Sequence, residues 1–210
     1  MSEENRNILV ATTNPGKIAE IRAMLGGDVR WLSLADVGEI GEIEEDGSTF
    51  AENARKKALG YARAAGIWTI ADDSGLVVDA LGGAPGIKSA RFSGEKTKDE
   101  DRTLIDHRNI AKVLELLKDV PKDRRTARFV CCLCLASPEK ALIETEGTLE
   151  GLITEREIGE NGFGYDPVFL VPHLHRAVAQ LTGDEKNAIS HRGSALRKLK
   201  PLLEKLRGND

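Results

Sequence analysis

Two pairs of adjacent acids, Glu44-Glu45 and Asp72-Asp73, are the residues of this sequence best suited to catalysis. The second pair follows an apolar run that predicts a strand, and an unpaired carboxylate at the end of a buried strand is costly. Ligands of α/β proteins bind where strands end, and Mg²⁺ prefers carboxylate ligands. One carboxylate could also accept a proton from an attacking water. The structural alternative is that Asp72 or Asp73 caps a turn or pairs with Arg91.

A turn rich in hydrogen-bond donors follows the first predicted strand, at 12–17 with the sequence TTNPGK. A strand that ends there and opens a helix presents backbone N–H groups, two hydroxyls and the cation of Lys17. Phosphates bind at such helix starts because the first N–H groups lack partners and the helix N-terminus is partly positive. The turn does not match the Walker A pattern. An ordinary strand-to-helix turn with Asn and Gly is the other interpretation.

Two further stretches contain residues suited to an anion or a base. Lys186, His191 and Arg192 lie around the predicted start of the last helix. Cations are unfavourable there unless a bound anion or a stacked base offsets the cost. Phe163 and Tyr165 lie in a glycine-rich turn, where an aromatic ring can stack on a nucleobase. The structural alternatives are solvated charge for the cations and core packing for the aromatic residues.

The apolar periodicity predicts the elements that must position these residues. Strands are expected at 7–12, 29–34, 67–71, 76–80, 126–136, 141–148 and 149–158, with a further apolar run at 168–171. Helices are expected from Pro15, from the capping box Thr49-x-x-Glu52, over 99–119 and over 190–206. This order predicts an α/β or α+β fold with a mixed sheet. No linker or composition shift divides the chain, so a single domain over 1–210 is expected.

The composition excludes several classes of protein. The 210 residues include 30 Lys and Arg against 34 Asp and Glu, a net charge of −4, and 40% are hydrophobic. The chain is too hydrophobic to be disordered and too acidic for a general nucleic-acid binder. No apolar run approaches the roughly 20 residues that cross a bilayer. The cysteines at 131, 132 and 134 lack zinc spacing, and no secretion signal is visible, so reduced thiols in the cytoplasm are expected.

Five stretches together resemble the family of inosine/xanthosine triphosphate pyrophosphatases, or dITP/XTP pyrophosphatases. They are ATTNPGK, STFAENARKKA, ADDSGLVVDALGGAPGIKSARFSG, GFGYDPVF and EKNAISHRG, in the family's order. The resemblance implies an α/β, elongated two-lobed fold with a long central mixed β-sheet flanked by helices and a nucleotide cleft between the lobes. It also implies a homodimer that uses Mg²⁺ to hydrolyse ITP, dITP and XTP to the monophosphate and pyrophosphate, removing them from the nucleotide pool.

The resemblance also implies roles for individual residues. Asp73 would accept the proton of the attacking water, and Glu44 and Asp73 would hold the metal, with the adjacent Glu45 as an open alternative. The turn 12–17 would cradle the triphosphate. The substrate-binding residues would be Thr12, Thr13, Asn14, Pro15, Gly16, Lys17, Lys57, Ser74, Phe163, Gly164, Tyr165, Asp166, Lys186, His191 and Arg192. A donor-rich base pocket would reject adenine, because adenine offers a donor where a 6-keto purine offers an acceptor.

Two other functions stay open at this point. The septum-formation-associated nucleotide pyrophosphatases share the general architecture and prefer other nucleotides, but the present motifs fit them less well. A nucleotide-binding regulatory module would need the lysines and would have little need of Glu44 and Asp73. The highly charged segment 96–108, KTKDEDRTLIDHR, looks a few residues longer than usual in the family and receives no role.

Overall fold

A mixed β-sheet runs through the protein. The computed structural model describes residues 7–27, 29–94 and 100–208. The strands within these residues are β1 (Asn7–Val10), β2 (Arg30–Leu32), β3 (Trp68–Val78), β4 (Thr126–Ala136), β5 (Ala141–Ile153), β6 (Phe169–Val171) and β7 (Arg176–Ala177). They pair in the order β2-β1-β3-β4-β5-β6-β7. Strand β1 is parallel to β2 and β3, whereas β6 is antiparallel to β5 and β7, so the α/β class with a mixed sheet is confirmed.

The helices begin where the sequence carries capping signals. They are α1 (Pro15–Leu25), α2 (Phe50–Ala65), α3 (Arg102–Leu116), α4 (Gly183–Ile189) and α5 (His191–Gly208). The Asn14 side chain caps α1 and Pro15 occupies its first turn, while Thr49 caps α2 by accepting from the Glu52 N–H. Helix α4 was not predicted, although Thr182-x-x-Glu185 forms a capping box at its start. No helix in the described part of the chain is long and apolar enough to cross a membrane.

Two strands are longer than the sequence predicts. Strand β3 continues through Gly75 and joins the predicted strands 67–71 and 76–80, and β5 joins the predicted strands 141–148 and 149–158 but ends at Ile153. Both strands have a hydrogen-bonded neighbour on each side. The ladder bonds outweigh the low strand propensity of glycine, which local sequence reasoning cannot weigh. Helix α3 is shorter than the predicted 99–119, and residues 96–99 of the charged segment lie outside the described residues.

The described residues belong to two compact units, and the division falls within β3, β4 and β5. Unit 1 comprises Met1–Asp73, Cys131–Gly147 and His191–Asp210. Its apolar core takes Ile21 from α1, Ile70 from β3, Leu133 from β4, and Leu196 and Leu199 from α5. Helices α1 and α5 therefore share one hydrophobic core with β3, the strand that carries the acidic pair.

Unit 2 comprises Ser74–Val130 and Thr148–Ser190. Its core joins Leu76 of β3 and Ile110 of α3 to an aromatic pair, Phe129 and Phe169, whose stacked rings lie 4.3 Å apart between centroids. Tyr165, from the glycine-rich turn, is buried in the same cluster. Helix α3 and that turn are thus attached to one apolar core.

Helix α5 approaches β5 closely at Gly147. A Cβ at this position would lie 2.1 Å from the His191 carbonyl oxygen and 2.6 Å from the Ala195 nitrogen. Both are backbone atoms, so neither can rotate away. Only glycine allows this approach, which places the first turn of α5 against the sheet.

We expect Gly147→Ala to lower the free energy of unfolding by about 1–3 kcal/mol, because the added methyl overpacks a backbone contact. Urea denaturation of the purified protein measures this. Gly41→Ala is the matched control, since a Cβ at Gly41 would meet nothing within 4 Å. Equal stability of the two variants would contradict the close approach of α5 to β5.

Candidate functional site

The acidic pair Asp72 and Asp73 lies inside β3, and both side chains are buried. Neighbouring side chains of a strand point to opposite faces of the sheet. Asp72 accordingly contacts residues of α1, β4 and α5, whereas Asp73 contacts Lys57 of α2. The two carboxylates therefore have different surroundings, although they are adjacent in sequence.

Asp72 is held as an anion by cations. Arg192 Nε donates to Asp72 Oδ2 at 2.7 Å, Lys17 forms an ion pair with Oδ1, and the Cys131 thiol donates to Oδ2 at 3.1 Å. Burial alone would raise the pKa of Asp72, but Arg192 and Lys17 outweigh it and hold that pKa well below its usual range. Asp72 is thus suited to position cations and poorly suited to accept a proton near neutral pH.

Arg192 lies in the core of unit 1, and its side chain is 1% exposed. Its second carboxylate partner is Glu20 of α1, and Nη1 lies 2.5 Å from Glu20 Oε2. Burial opposes the charge of Arg192, but Asp72 outweighs this effect and raises the pKa of the guanidinium. The structure therefore places this residue in a buried ion-pair network, where the sequence suggested a direct contact with substrate.

Asp73 lies in a different electrostatic setting. Lys57 Nζ is 3.8 Å from Asp73 Oδ1 and 2.9 Å from Glu45 Oε1, and it donates to the Asp72 carbonyl oxygen at 2.7 Å. Burial raises the pKa of Asp73, Lys57 partly offsets this, and the carboxylate of Glu45 raises it further. Asp73 Oδ2 is buried and has no hydrogen-bond partner among the described residues. These are the properties that a general base or a metal ligand requires.

Lys57 remains a cation in this site. Burial opposes its charge, but Asp73 and Glu45 outweigh that effect and raise the pKa of the ammonium. It is therefore protonated near neutral pH. A buried, protonated lysine beside two carboxylates can neutralise negative charge that arrives with a phosphate.

The acidic loop before α2 places the Glu45 carboxylate beside Lys57 and leaves Glu44 exposed. The Ile43 side chain packs against α2, and Asn53 Oδ1 accepts from the Gly47 N–H at 2.8 Å. These contacts anchor the loop on both sides of the pair. Of the two adjacent glutamates, only Glu45 contacts Lys57 in the described structure, and the metal role of Glu44 or Glu45 stays a prediction.

The parallel pairing of β1 and β3 explains why Lys17 meets Asp72. Val10 is aligned with Ile70, so the carboxyl end of β1 lies beside the strand segment that precedes the acidic pair. Helix α1 begins a few residues after that end, and Lys17 lies in its first turn. The register thus brings together residues that are 55 positions apart in the sequence.

The turn between β1 and α1 is shaped by its own side chains. Thr12 Oγ1 accepts from the Asn14 N–H at 3.1 Å, and Asn14 Oδ1 accepts from the Gly16 N–H at 2.9 Å. Thr13 and Pro15 are exposed. Asn14 Nδ2 is buried and finds no acceptor within the described chain. An orphaned buried donor beside a helix start suits an anionic oxygen of a ligand.

A magnesium ion fits the carboxylates on the Asp73 side of β3. The described residues contain no group of three or more His, Cys, Asp or Glu side chains that could hold a metal. They do bring Glu45 and Asp73 to the same lysine, and Asp73 Oδ2 is a buried oxygen without a partner in the described chain. Mg²⁺ is usually bound by one or two carboxylates and completes its coordination with water and substrate phosphates. The donor set therefore matches that ion.

A second group of predicted residues lies in unit 2. Lys186 Nζ is 4.2 Å from the centre of the Phe163 ring and 2.7 Å from Asp166 Oδ2. Asp166 Oδ2 also accepts from the Phe163 N–H at 2.9 Å. The Tyr165 hydroxyl donates to the Ser89 carbonyl oxygen at 2.8 Å, and burial raises the pKa of that phenol. Tyr165 therefore packs in the core, which is the structural alternative that the sequence left open.

The predicted residues are divided between the two units. His191 and Arg192, in the first turn of α5, belong to unit 1 with Lys17, Lys57 and Asp73. Unit 2 contains the residues at 163–166 together with Lys186, and Ser74, which is half-buried, follows Asp73 in β3.

Sequence reasoning missed Glu20, Asn53 and the anchoring role of Asp72. A signal for Asn53 exists, because Asn53 and Lys57 are one helical turn apart on the same alanine-rich face of α2 and are both buried. Two polar residues on an apolar helix face indicate a buried polar site. No comparable local signal marks Glu20.

The family model described as the Ham1 family matches residues 8–202. The chain belongs to the Ham1 family. The match covers the strands and helices that carry the acidic pair, the donor-rich turn and the Phe163 turn.

Curated relatives with similar sequences carry one name. The dITP/XTP pyrophosphatase of Exiguobacterium sibiricum is 52% identical over 199 residues, which cover 93% of this chain and 96% of the relative. The dITP/XTP pyrophosphatase of Bacillus subtilis is 48% identical over 202 residues, covering 95% and 98%. Membership of the Ham1 family makes this chain a nucleotide pyrophosphatase, a hydrolase.

Solved structures of similar proteins have the same fold. The Staphylococcus aureus Ham1 protein is 40% identical, with a TM-score of 0.82 over 95% of this chain and 98% of that protein. A nucleoside-triphosphatase / dITP/XTP pyrophosphatase from Mycobacterium abscessus is 44% identical, with a TM-score of 0.73 over 93% and 99%.

We expect Arg192→Leu to lower the free energy of unfolding by about 3–5 kcal/mol, because it leaves Asp72 buried with too little positive charge. Arg55→Leu is the matched control, since its pair with Glu144 is exposed and should contribute less than about 1 kcal/mol. The double variant Asp72→Asn, Arg192→Leu should regain part of the stability that Arg192→Leu loses. Chemical denaturation measures all three, and an Arg192→Leu protein as stable as Arg55→Leu would contradict the buried network.

Proposed function

We propose that this Ham1 protein hydrolyses the non-canonical purine nucleoside triphosphates ITP, dITP and XTP to the monophosphate and pyrophosphate. The observation that carries the proposal is Asp73, a buried carboxylate with a raised pKa and one oxygen without a partner in the described chain, beside the cation of Lys57. A module that only binds nucleotides has no need of such a group. The names of the relatives support the same reaction.

Asp73 accepts the proton of the water that attacks the α-phosphorus. Its pKa is raised by burial, an effect that Lys57 offsets only in part, and this makes it a better base than an exposed aspartate. Asp72 cannot share this role, because Arg192 and Lys17 hold its pKa well below the usual range. The two adjacent carboxylates therefore have different roles: Asp73 accepts the proton, and Asp72 holds the cations.

The donor-rich turn and the two lysines bind the triphosphate. Asn14 Nδ2 supplies a buried donor, and Thr12 and the backbone at the start of α1 supply further hydrogen bonds. Lys17 and Lys57 neutralise charge that develops on the departing pyrophosphate. Asp72 positions both lysines, since it pairs with Lys17 through its carboxylate and accepts from Lys57 through its carbonyl oxygen.

Glu45 and Asp73 would hold Mg²⁺, because carboxylate oxygens are ligands that this ion prefers and Asp73 Oδ2 has no hydrogen-bond partner in the described chain. When bound, the ion supplies a Lewis acid that polarises the phosphates. The chain's own contribution is to hold Glu45 at this place through the contacts of Ile43 and Asn53 on α2.

The base is recognised by Phe163, Asp166 and Lys186. The Phe163 ring is partly exposed and offers a stacking face, and Lys186 offers a donor to a 6-keto oxygen. Adenine has an amino group, a donor, at that position. The Lys186 ammonium and this amino group would then face each other as two donors without an acceptor, which disfavours ATP. Asp166 Oδ2 lies 2.7 Å from Lys186 Nζ and accepts from the Phe163 N–H at 2.9 Å, so Asp166 positions both residues.

Two further assignments belong to this proposal. We place the protein in the cytoplasm, which is supported by its three buried cysteines, since none of them forms a disulfide within the described residues. Burial raises the pKa of Cys132 and Cys134 to about 12, so both thiols stay protonated. We also assign it a homodimer, which static light scattering of the purified protein tests. A monomer at all concentrations would reject the dimer and leave the hydrolysis untouched.

Incubation with ITP, XTP, GTP, ATP and dTTP plus Mg²⁺ should give rapid release of pyrophosphate from ITP and XTP alone. Preferred turnover of dTTP would favour the septum-formation type of enzyme, and binding without product would favour a regulatory module.

Asp73→Asn should lose turnover by at least about a hundredfold while keeping its fold by circular dichroism, because the proton acceptor is gone. Hydrolysis of ITP by Asp73→Asn at the wild-type rate would show that Asp73 is not the proton acceptor.

Glu45→Gln and Glu44→Gln form a matched pair for the metal site. We expect Glu45→Gln to raise the Mg²⁺ concentration for half-maximal ITP hydrolysis by about tenfold, because a neutral amide is a weaker ligand than a carboxylate. Glu44→Gln should behave like the wild type, since Glu44 is exposed. Magnesium titrations of both variants measure this. A shift in Glu44→Gln alone would return the metal role to Glu44.

A further inference from the structure

Helix α3 tethers two glycine-rich loops of unit 2 through residues on one face. Asn109 is buried, and its Oδ1 accepts from the Ser93 N–H at 2.7 Å. Asp106 lies three residues earlier, on the same side of the helix. Its Oδ2 accepts from the Gly164 N–H at 2.8 Å. Asp106 belongs to the charged segment 96–108, to which the sequence alone assigned no role.

The turn that carries Phe163 needs a tether of this kind. Gly162 and Gly164 adopt left-handed backbone conformations, with φ of +83° and +61°. Glycine loses more backbone freedom on ordering than any other residue, so a turn with two such glycines is loose unless other contacts fix it. The bond from the Phe163 N–H to Asp166 lies within the turn, and Lys186 of α4 contacts both that carboxylate and the Phe163 ring through its side chain.

Asp106 supplies a further contact, which joins the backbone of this turn to α3 at the residue next to Phe163. Helix α3 is itself fixed in the core of unit 2 by Ile110 and Val113. A hydrogen bond from a backbone N–H to a carboxylate is stronger than one between neutral groups. Tyr165 provides a separate attachment on the other side of Gly164, through its hydroxyl and Ser89.

We propose that Asp106 is a positioning residue for base recognition, which fixes the Phe163 ring by holding the Gly164 amide. The proposal rests on the proposed function, because it takes Phe163 and Lys186 as the base-binding residues. Asp106 acts through the turn and does not touch the nucleotide. It therefore contributes to the affinity for the base and leaves the chemistry at Asp73 unchanged.

Asp106→Leu removes the acceptor and introduces a larger apolar side chain with a higher helix propensity, whereas Asp106→Asn keeps an acceptor oxygen at nearly the same size. We expect Asp106→Leu to raise KM for ITP by about tenfold with kcat within about twofold, and Asp106→Asn to recover most of the loss. Selectivity for ITP over ATP should fall in Asp106→Leu. Glu115→Leu is the matched control on the same helix, because Glu115 is exposed and forms a surface ion pair with Lys118.

Hydrogen exchange read by mass spectrometry gives a measure that does not depend on activity. Peptides covering 160–167 should exchange faster in Asp106→Leu than in the wild type, while those covering β6 should not change. Faster exchange throughout unit 2 together with a lower Tm would show a general structural role and overturn the proposal. Wild-type KM and wild-type exchange in Asp106→Leu would also overturn it.

The same experiment separates this proposal from the proposed function. A wild-type protein that does not hydrolyse ITP rejects the function, whereas the exchange of 160–167 still reports whether Asp106 holds the turn. Asp106→Ala, which introduces no larger group, provides the kinetic and exchange measurements if Asp106→Leu does not fold. A loss of kcat with unchanged KM in either variant would assign Asp106 to another step and contradict its role in base recognition.

Discussion

The burial of two adjacent carboxylates in one strand is the constraint on which the candidate site depends. A buried charge without partners costs several kcal/mol, so each carboxylate must either find cations or change its pKa. Because Asp72 and Asp73 point to opposite faces of β3, each meets this requirement differently. Asp72 is compensated by Arg192 and Lys17, whereas Asp73 is compensated only in part by Lys57, and its pKa is raised. The group that we propose as the base is the carboxylate that the fold leaves less compensated.

This requirement links distant parts of the chain. Asp72 is 55 residues from Lys17 and 120 residues from Arg192, so both contacts exist only when α1 and α5 pack on the sheet. The parallel register of β1 and β3 brings Lys17 to its partner, and the absence of a side chain at Gly147 lets the start of α5 approach. The packing of α1 and α5 in the unit-1 core therefore also determines which cations compensate Asp72.

Local sequence signals predicted the parts of this arrangement that depend on local physics. The helix start at Pro15, the Thr49 cap, β4 over 126–136 and the mixed sheet are confirmed. The continuous β3 was missed because its glycine is stabilised by neighbouring strands. Local sequence does not decide between Glu44 and Glu45, because their positions depend on how Ile43 and Asn53 anchor the loop on α2, which is a tertiary contact.

The buried position of Arg192 changes how a loss of activity at this residue should be interpreted. An arginine beside a predicted phosphate site invites the conclusion that it touches substrate, yet its guanidinium is occupied by Asp72 and Glu20. Removing it would leave Asp72 to interact more strongly with Lys17, and that lysine would then be less able to turn toward a phosphate. Impaired substrate binding would follow without any direct contact. Coupling between substitutions at Arg192 and Lys17, measured through Asp72, distinguishes this indirect effect from direct recognition.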